Sequence, residues 1–228
     1  MRNVIKAAAV AVVFALAAPV AAQDYEAGWQ AYRHGDYTAA LREWRPLAEQ
    51  GNSHAQTDLG YLYFNGQGVP QDFAEAMKWY RMAAAQGHTE SQYALGFMYN
   101  AGQGAAQDDA VAAKWYRLAA LQGDVDAQFD LGDSYATGAG VALDHAEAVK
   151  WWHKAAEQGH APAQYNLGLI YTNGRMAARD YVLAHMWYSL AATQGDDIAA
   201  DERNELARNM IPAEIAEAQR LAREWKPK

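Results

Sequence analysis

The chain has 228 residues and carries 19 Lys and Arg against 27 Asp and Glu, a formal net charge of −8. An acidic surface repels phosphate backbones and anionic lipid headgroups, which argues against nucleic acids and membrane surfaces as partners. No cysteine occurs anywhere, so the fold has neither disulfides nor a cysteine nucleophile, and its stability rests on packing.

Residues 1–22 differ in character from the rest of the chain. Arg2 and Lys6 make a short basic start, Ala7 to Ala18 an apolar run, and Val20-Ala21-Ala22 a small-residue cleavage site. This pattern predicts a secretory signal cut after Ala22 and a periplasmic or secreted mature chain from Gln23. The apolar run is short of the ~20 residues that span a bilayer; a retained N-terminal anchor is the alternative.

Residues 23–51 read as a short helical hairpin around Ala31-Tyr32, Gly35-Asp36-Tyr37 and Ala40-Leu41. Four gapless 36-residue segments come next, 52–87, 88–123, 124–159 and 160–195, with twelve positions identical in all four. The identities include Leu59, Leu95, Leu131 and Leu167; Tyr63, Tyr99, Tyr135 and Tyr171; Asp72, Asp108, Asp144 and Asp180; and Trp79, Trp115, Trp151 and Trp187. A fixed period of this length marks a stacked array.

Each segment predicts two helices. In the first, Ala55, Leu59, Leu62 and Tyr63 recur at helical spacing, and Gly66 stands where a left-handed C-terminal cap belongs. Asp72 is a good N-cap for a second helix carrying Ala76, Trp79, Tyr80, Ala83 and Ala84, and Glu75 stands at capping-box spacing from it. Small residues such as Gly60 and Ala83 allow close approach, while the invariant Leu, Tyr and Trp fill the core. Residues 196–228 predict a last helical pair, with Pro212 in a first turn and Ile215, Ala218, Ala222 and Trp225 as its inward stripe. The expected fold is all-α: an α-solenoid, a right-handed superhelix of stacked helix-turn-helix units closed by helical caps at both ends.

If the invariant positions are core, binding information lies in positions that vary. On the first helices Tyr61, Phe97 and Leu169 are equivalent and form an apolar track interrupted by Asp133; Tyr93 faces the same side. Asp126, Asp130 and Asp133 put three carboxylates on one helix face. Such a groove suits a peptide carrying one or two basic residues; packing within the superhelix and a solvated acidic face are the structural alternatives. The fourth segment departs from the pattern in its loop, Gly174-Arg175-Met176-Ala177-Ala178-Arg179, and at His185 and Met186. Either a partner-specific patch or adaptation to the C-terminal cap accounts for this.

Catalytic signatures are missing from the sequence: no Gly-x-Ser-x-Gly elbow, no His-Glu-x-x-His helix and no phosphate-binding Gly-rich loop. The seven histidines are scattered, and His185 replaces Met77, Ala113 or Val149 of the other segments, which predicts a buried, hydrogen-bonded ring. No catalytic residue, metal site or cofactor is therefore expected.

The motif Ala55…Leu59-Gly60…Tyr63…Gly66…Gly68-Val69…Asp72, then Ala76, Trp79, Ala83-Ala84 and Gly87, resembles the Sel1-like repeat, a relative of the tetratricopeptide repeat. The resemblance spans four copies, and the hairpin at 23–51 looks tetratricopeptide-like. It implies a solenoid that binds a protein or peptide as an adaptor or regulator, or a scaffold of envelope or exopolysaccharide machinery. A cysteine-rich exported branch linked to β-lactam binding or hydrolysis is a further alternative, and this chain lacks all its cysteines.

Overall fold

A computed structural model describes residues 25–227. The export signal expected over residues 1–22 lies outside the described residues. Twelve helices succeed one another, and no strand occurs among the described residues. An N-terminal pair, α1 (Tyr25–Arg33) and α2 (Tyr37–Glu49), precedes four pairs of 13-residue helices. These are α3 (Ser53–Asn65) with α4 (Phe73–Ala85), α5 (Thr89–Ala101) with α6 (Asp109–Leu121), α7 (Val125–Thr137) with α8 (His145–Glu157), and α9 (Ala161–Asn173) with α10 (Tyr181–Thr193). The last pair is α11 (Asp197–Ala207) and α12 (Pro212–Glu224). The densest packing runs between consecutive helices as far as α11, and at the C-terminal end α12 folds back onto α10. This makes an all-α solenoid, as the period predicts.

The local reasons repeat with the sequence. Each first helix ends on a left-handed glycine, Gly66, Gly102, Gly138 or Gly174, whose N–H donates to the carbonyl four residues back. The invariant aspartates Asp72, Asp108, Asp144 and Asp180 then cap the second helices through Oδ1 at 2.9–3.0 Å. One expectation is corrected: no capping box forms at Asp72 or Asp144. The backbone N–H of each aspartate donates instead to a carbonyl of the first helix, Tyr63 or Tyr135. Glu75 and Glu147 turn to Lys78 and Lys150.

Leu59, Leu95, Leu131 and Leu167 are fully buried, and Trp79, Trp151 and Trp187 nearly so; Trp115 is half-buried. The invariant tyrosines Tyr63, Tyr99 and Tyr135 accept hydrogen bonds from Arg45, Arg81 and Arg117 of the preceding unit, and His153 makes the equivalent bond to Tyr171. The invariant glutamines form a second seam between units. Gln86 donates to Gln56 at 2.8 Å, and Gln56 donates to the Ala48 carbonyl of the unit before it at 2.9 Å. Gln122 with Gln92, Gln158 with Gln128 and Gln194 with Gln164 repeat the arrangement. Buried amides need such partners, because an unmade bond costs ~1–3 kcal/mol.

Glycine at the ninth repeat position serves a side chain. A Cβ on Gly96 would stand 2.5 Å from the Tyr116 ring, and Gly60, Gly132 and Gly168 face Tyr80, Trp152 and Tyr188 in the same way.

Candidate functional site

The first helices and the N-terminal pair enclose a hollow of about 650 Å³. On its N-terminal side stand Trp29, Tyr32 and Trp44, packed ring to ring at centroid distances of 5.4–5.9 Å. Its base is Tyr80, and Thr57 and Asp58 line it from α3. Phe64 together with Tyr93 and Phe97 of α5 completes the far wall. Tyr61 and Phe97 reach solvent with 44% and 41% of their surface exposed. Among the described residues two carboxylates, Asp58 and Glu90, line the hollow, and no Lys or Arg does.

Asp58 is positioned by an aromatic donor chain. Trp29 Nε1 donates to the Tyr25 hydroxyl at 2.9 Å, and that hydroxyl donates to Asp58 Oδ2 at 2.7 Å. Burial pushes the Asp58 carboxyl up to about 6, and the Tyr25 bond opposes the rise. Below, Thr57 bonds Ser91 at 2.6 Å and His88 Nδ1 at 3.1 Å, tying α3 to the start of α5.

Next along the solenoid lies a smaller hollow of about 240 Å³, lined by Asn100, Tyr116, Asp130, Asp133, Ser134, Thr137 and Ala139. Asp130, at the repeat position of Asp58, is lifted to about 6, first by burial and then by Asp133, while the nearby Tyr93 and Tyr116 hydroxyls oppose the rise. Asp133 accepts from Trp152 Nε1 at 2.9 Å, and Asp126 faces His160 at 3.3 Å.

Of the candidate binding residues, Tyr61, Tyr93 and Phe97 meet in the larger hollow. Asp130 and Asp133 share the smaller one, while Asp126 lies outside it, mostly exposed. The three carboxylates are therefore not one free patch: Asp126 and Asp133 each have an internal partner, and Asp130 is half-buried. Leu169 is separated from the aromatic track: it packs on the cluster of Tyr188, Ala199, Leu206 and Met210 built by α10 to α12. Trp29, Tyr32, Trp44 and Asp58 were not singled out from sequence. The first three lie outside the repeat, and the signal that could have found them is the density of aromatics in residues 25–44.

The fourth unit adapts to the C-terminal helices. Met186 belongs to the core cluster against which Leu221, Ala222 and Trp225 pack, and Met176 packs on the same cluster. His185 is buried, its ring within 3.4 Å of the Ser189 hydroxyl, and desolvation with nearby Arg203 lowers its pKa.

Among the described residues no group of three or more acidic or histidine side chains could hold a metal ion. No helix there is long and apolar enough to cross a membrane.

The helical pairs, their caps and the groove define a repeat protein of the Sel1 class, and the Sel1 repeat matches at residues 53–88, 89–124, 125–160 and 161–196. The chain belongs to the Sel1 repeat family, whose members generally mediate protein–protein interactions and are generally non-catalytic. It is similar to a Sel1 repeat protein from Oxalobacter formigenes, at 30% identity and a TM-score of 0.72, over 83% of this chain and 87% of that one. A protective antigen of uropathogenic Escherichia coli strains is 41% identical with a TM-score of 0.73, over 80% of this chain. This chain spans 40% of that antigen's length. An immunity protein, PA5088 of Pseudomonas aeruginosa, shares the fold at 22% identity and a TM-score of 0.52, over 87% of this chain and 81% of that one. No curated protein has a sequence that matches this one.

Proposed function

We propose that this protein is an exported adaptor or regulator that binds a segment of another protein in the groove lined by its first helices. The observation that carries this reading is the aromatic hollow between the N-terminal hairpin and the first two repeats. Tyr61 and Phe97 both line this concave space and hold large apolar surface in water there. A hollow of this size, mostly apolar with a few placed polar groups, is what binding sites are made of. Affinity at protein interfaces concentrates in a few such anchors. The chain divides on this reading into an export signal at 1–22, an N-terminal hairpin at 23–51, four binding repeats and a C-terminal cap at 196–228.

The test is affinity capture of partners from envelope extract, with wild type beside a Tyr61→Asp/Phe97→Asp double variant whose melting temperature is unchanged. The expected outcome is a partner held by the wild type and lost by the variant. Equal capture by both proteins would move binding away from the groove.

A further inference from the structure

Charge is distributed unevenly between the two helix layers. The first helices α3, α5, α7 and α9 carry Asp58, Glu90, Asp126, Asp130 and Asp133 and not one Lys or Arg. The second helices α4, α6 and α8 carry the cations, Lys78, Arg81, Lys114, Arg117, Lys150 and Lys154. Asp58 is thus a half-buried carboxylate facing an aromatic hollow with no basic side chain lining it. Among the described residues only Oδ2 is engaged, by Tyr25, and that bond fixes the direction of the group.

We propose that the larger hollow is an arginine-recognition pocket, in which an arginine from an extended segment of the partner protein stacks on the aromatic walls and pairs with Asp58. The inference rests on the groove reading above. A guanidinium is planar, stacks on aromatic faces and offers several donors to a carboxylate, whereas a lysine ammonium is a compact, strongly hydrated point charge. Cations over Trp and Tyr faces gain ~0.5–2 kcal/mol, more as water is excluded. Glu90, exposed at the rim, adds a second negative charge on the approach.

A polypeptide rather than a free small cation fits the continuity of the surface. Phe97 of the larger hollow and Asn100 of the smaller one stand a turn apart on α5. A chain lying along the groove passes from the first hollow to the second, where Asp130 and Asp133 repeat the combination of carboxylate and aromatic donors.

The pairing is pH-dependent. A bound guanidinium favours ionised Asp58, so affinity rises as pH climbs through about 6. Burial raises the Asp58 pKa and Glu90 of α5 adds to the rise, while the hydrogen bond from Tyr25 of α1 opposes it. His54 on α3 also faces Asp58 and opposes the rise of its pKa. Burial and then His54 lower the pKa of His88 at the start of α5, and Glu90 opposes them.

The experiment titrates the protein by NMR with a blocked Ala-Ala-Arg-Ala-Ala peptide and its citrulline twin, which differs in charge but hardly in shape. The expected result is about a tenfold preference for arginine at pH ~7.5, shrinking at pH ~5. The preference disappears in Asp58→Asn, weakens in the exposed Glu90→Gln and persists in Asp133→Asn. Equal binding of the twins overturns arginine recognition. So does the absence of peptide binding at millimolar concentration, and if the Tyr61→Asp/Phe97→Asp variant still loses the captured partner, the groove reading stands alone. Silence of the peptides together with capture indifferent to that variant overturns both. Arginine amide binding as tightly as the pentapeptide would assign the pocket to a free small cation and overturn the polypeptide assignment.

Discussion

At the scale of the residue, an invariant position answers to a specific neighbour. Gly96 is glycine because the Tyr116 ring occupies the place of a side chain. Gly96→Ala is expected to cost ~1–3 kcal/mol through overpacking, and Tyr116→Leu to restore part of it. Urea melts of the two single variants and the double variant check this; strict additivity would count against the contact. The glycine, its ring and the Gln56–Gln86 pair all recur in the sequence, so their importance was legible there. Their partners were not, because identity at a position does not say which atom lies opposite. Asp58 shows the converse. It recurs only as Asp130 and carries no motif, and it matters because Tyr25, 33 residues earlier, donates to it.

At the scale of the element, the helices are nearly interchangeable. Each repeat offers the next an equivalent bond to its invariant tyrosine, from Arg81, Arg117 or His153, and the same glutamine seam, so stability is close to a sum of unit and interface terms. Deleting residues 88–123 places Arg81 beside the equivalent Tyr135 and Gln128 beside Ala84. The shortened chain is expected to fold with undiminished helicity per residue by circular dichroism, while losing the Tyr93 and Phe97 wall of the hollow and with it partner capture. A collapse of helicity would show that the units are not independent. The fourth repeat marks where equivalence ends. Gly140 brings its loop against the start of α6, where a Cβ would stand 2.0 Å from the Asp109 carbonyl oxygen, and Met176 replaces that glycine in the last loop. The loop there packs on the cluster that α12 covers.

At the scale of the whole molecule, burial sets opposing pH dependences. Asp58 and Asp130 are raised to about 6, so the folded state holds their protons longer than the unfolded chain does. Their contribution to stability is fully present below pH ~4 and is lost as pH rises through about 6. His88, His153, His160 and His185 are lowered by burial, so their contribution is present above pH ~6.5 and lost as pH falls. An Asp58→Asn/Asp130→Asn variant is expected to gain on the wild type between pH ~4 and ~6. The gain is on the order of 1 kcal/mol per carboxylate, because partial exposure screens both. Denaturant melts across that range measure it, and parallel curves would contradict the burial of these groups.

The period, the helix ends and the stacked fold were determined by the sequence alone, since capping and burial at a fixed spacing are local properties that repeat in the chain. The Tyr61–Phe97 part of the groove was legible for the same reason. Only the tertiary structure decided that Leu169 belongs to the C-terminal cluster, that Asp126 and Asp133 of α7 have separate partners, and that Trp29, Tyr32 and Trp44 complete the hollow. Those facts depend on how the two ends fold against the array, and the ends are the part of the chain that does not repeat.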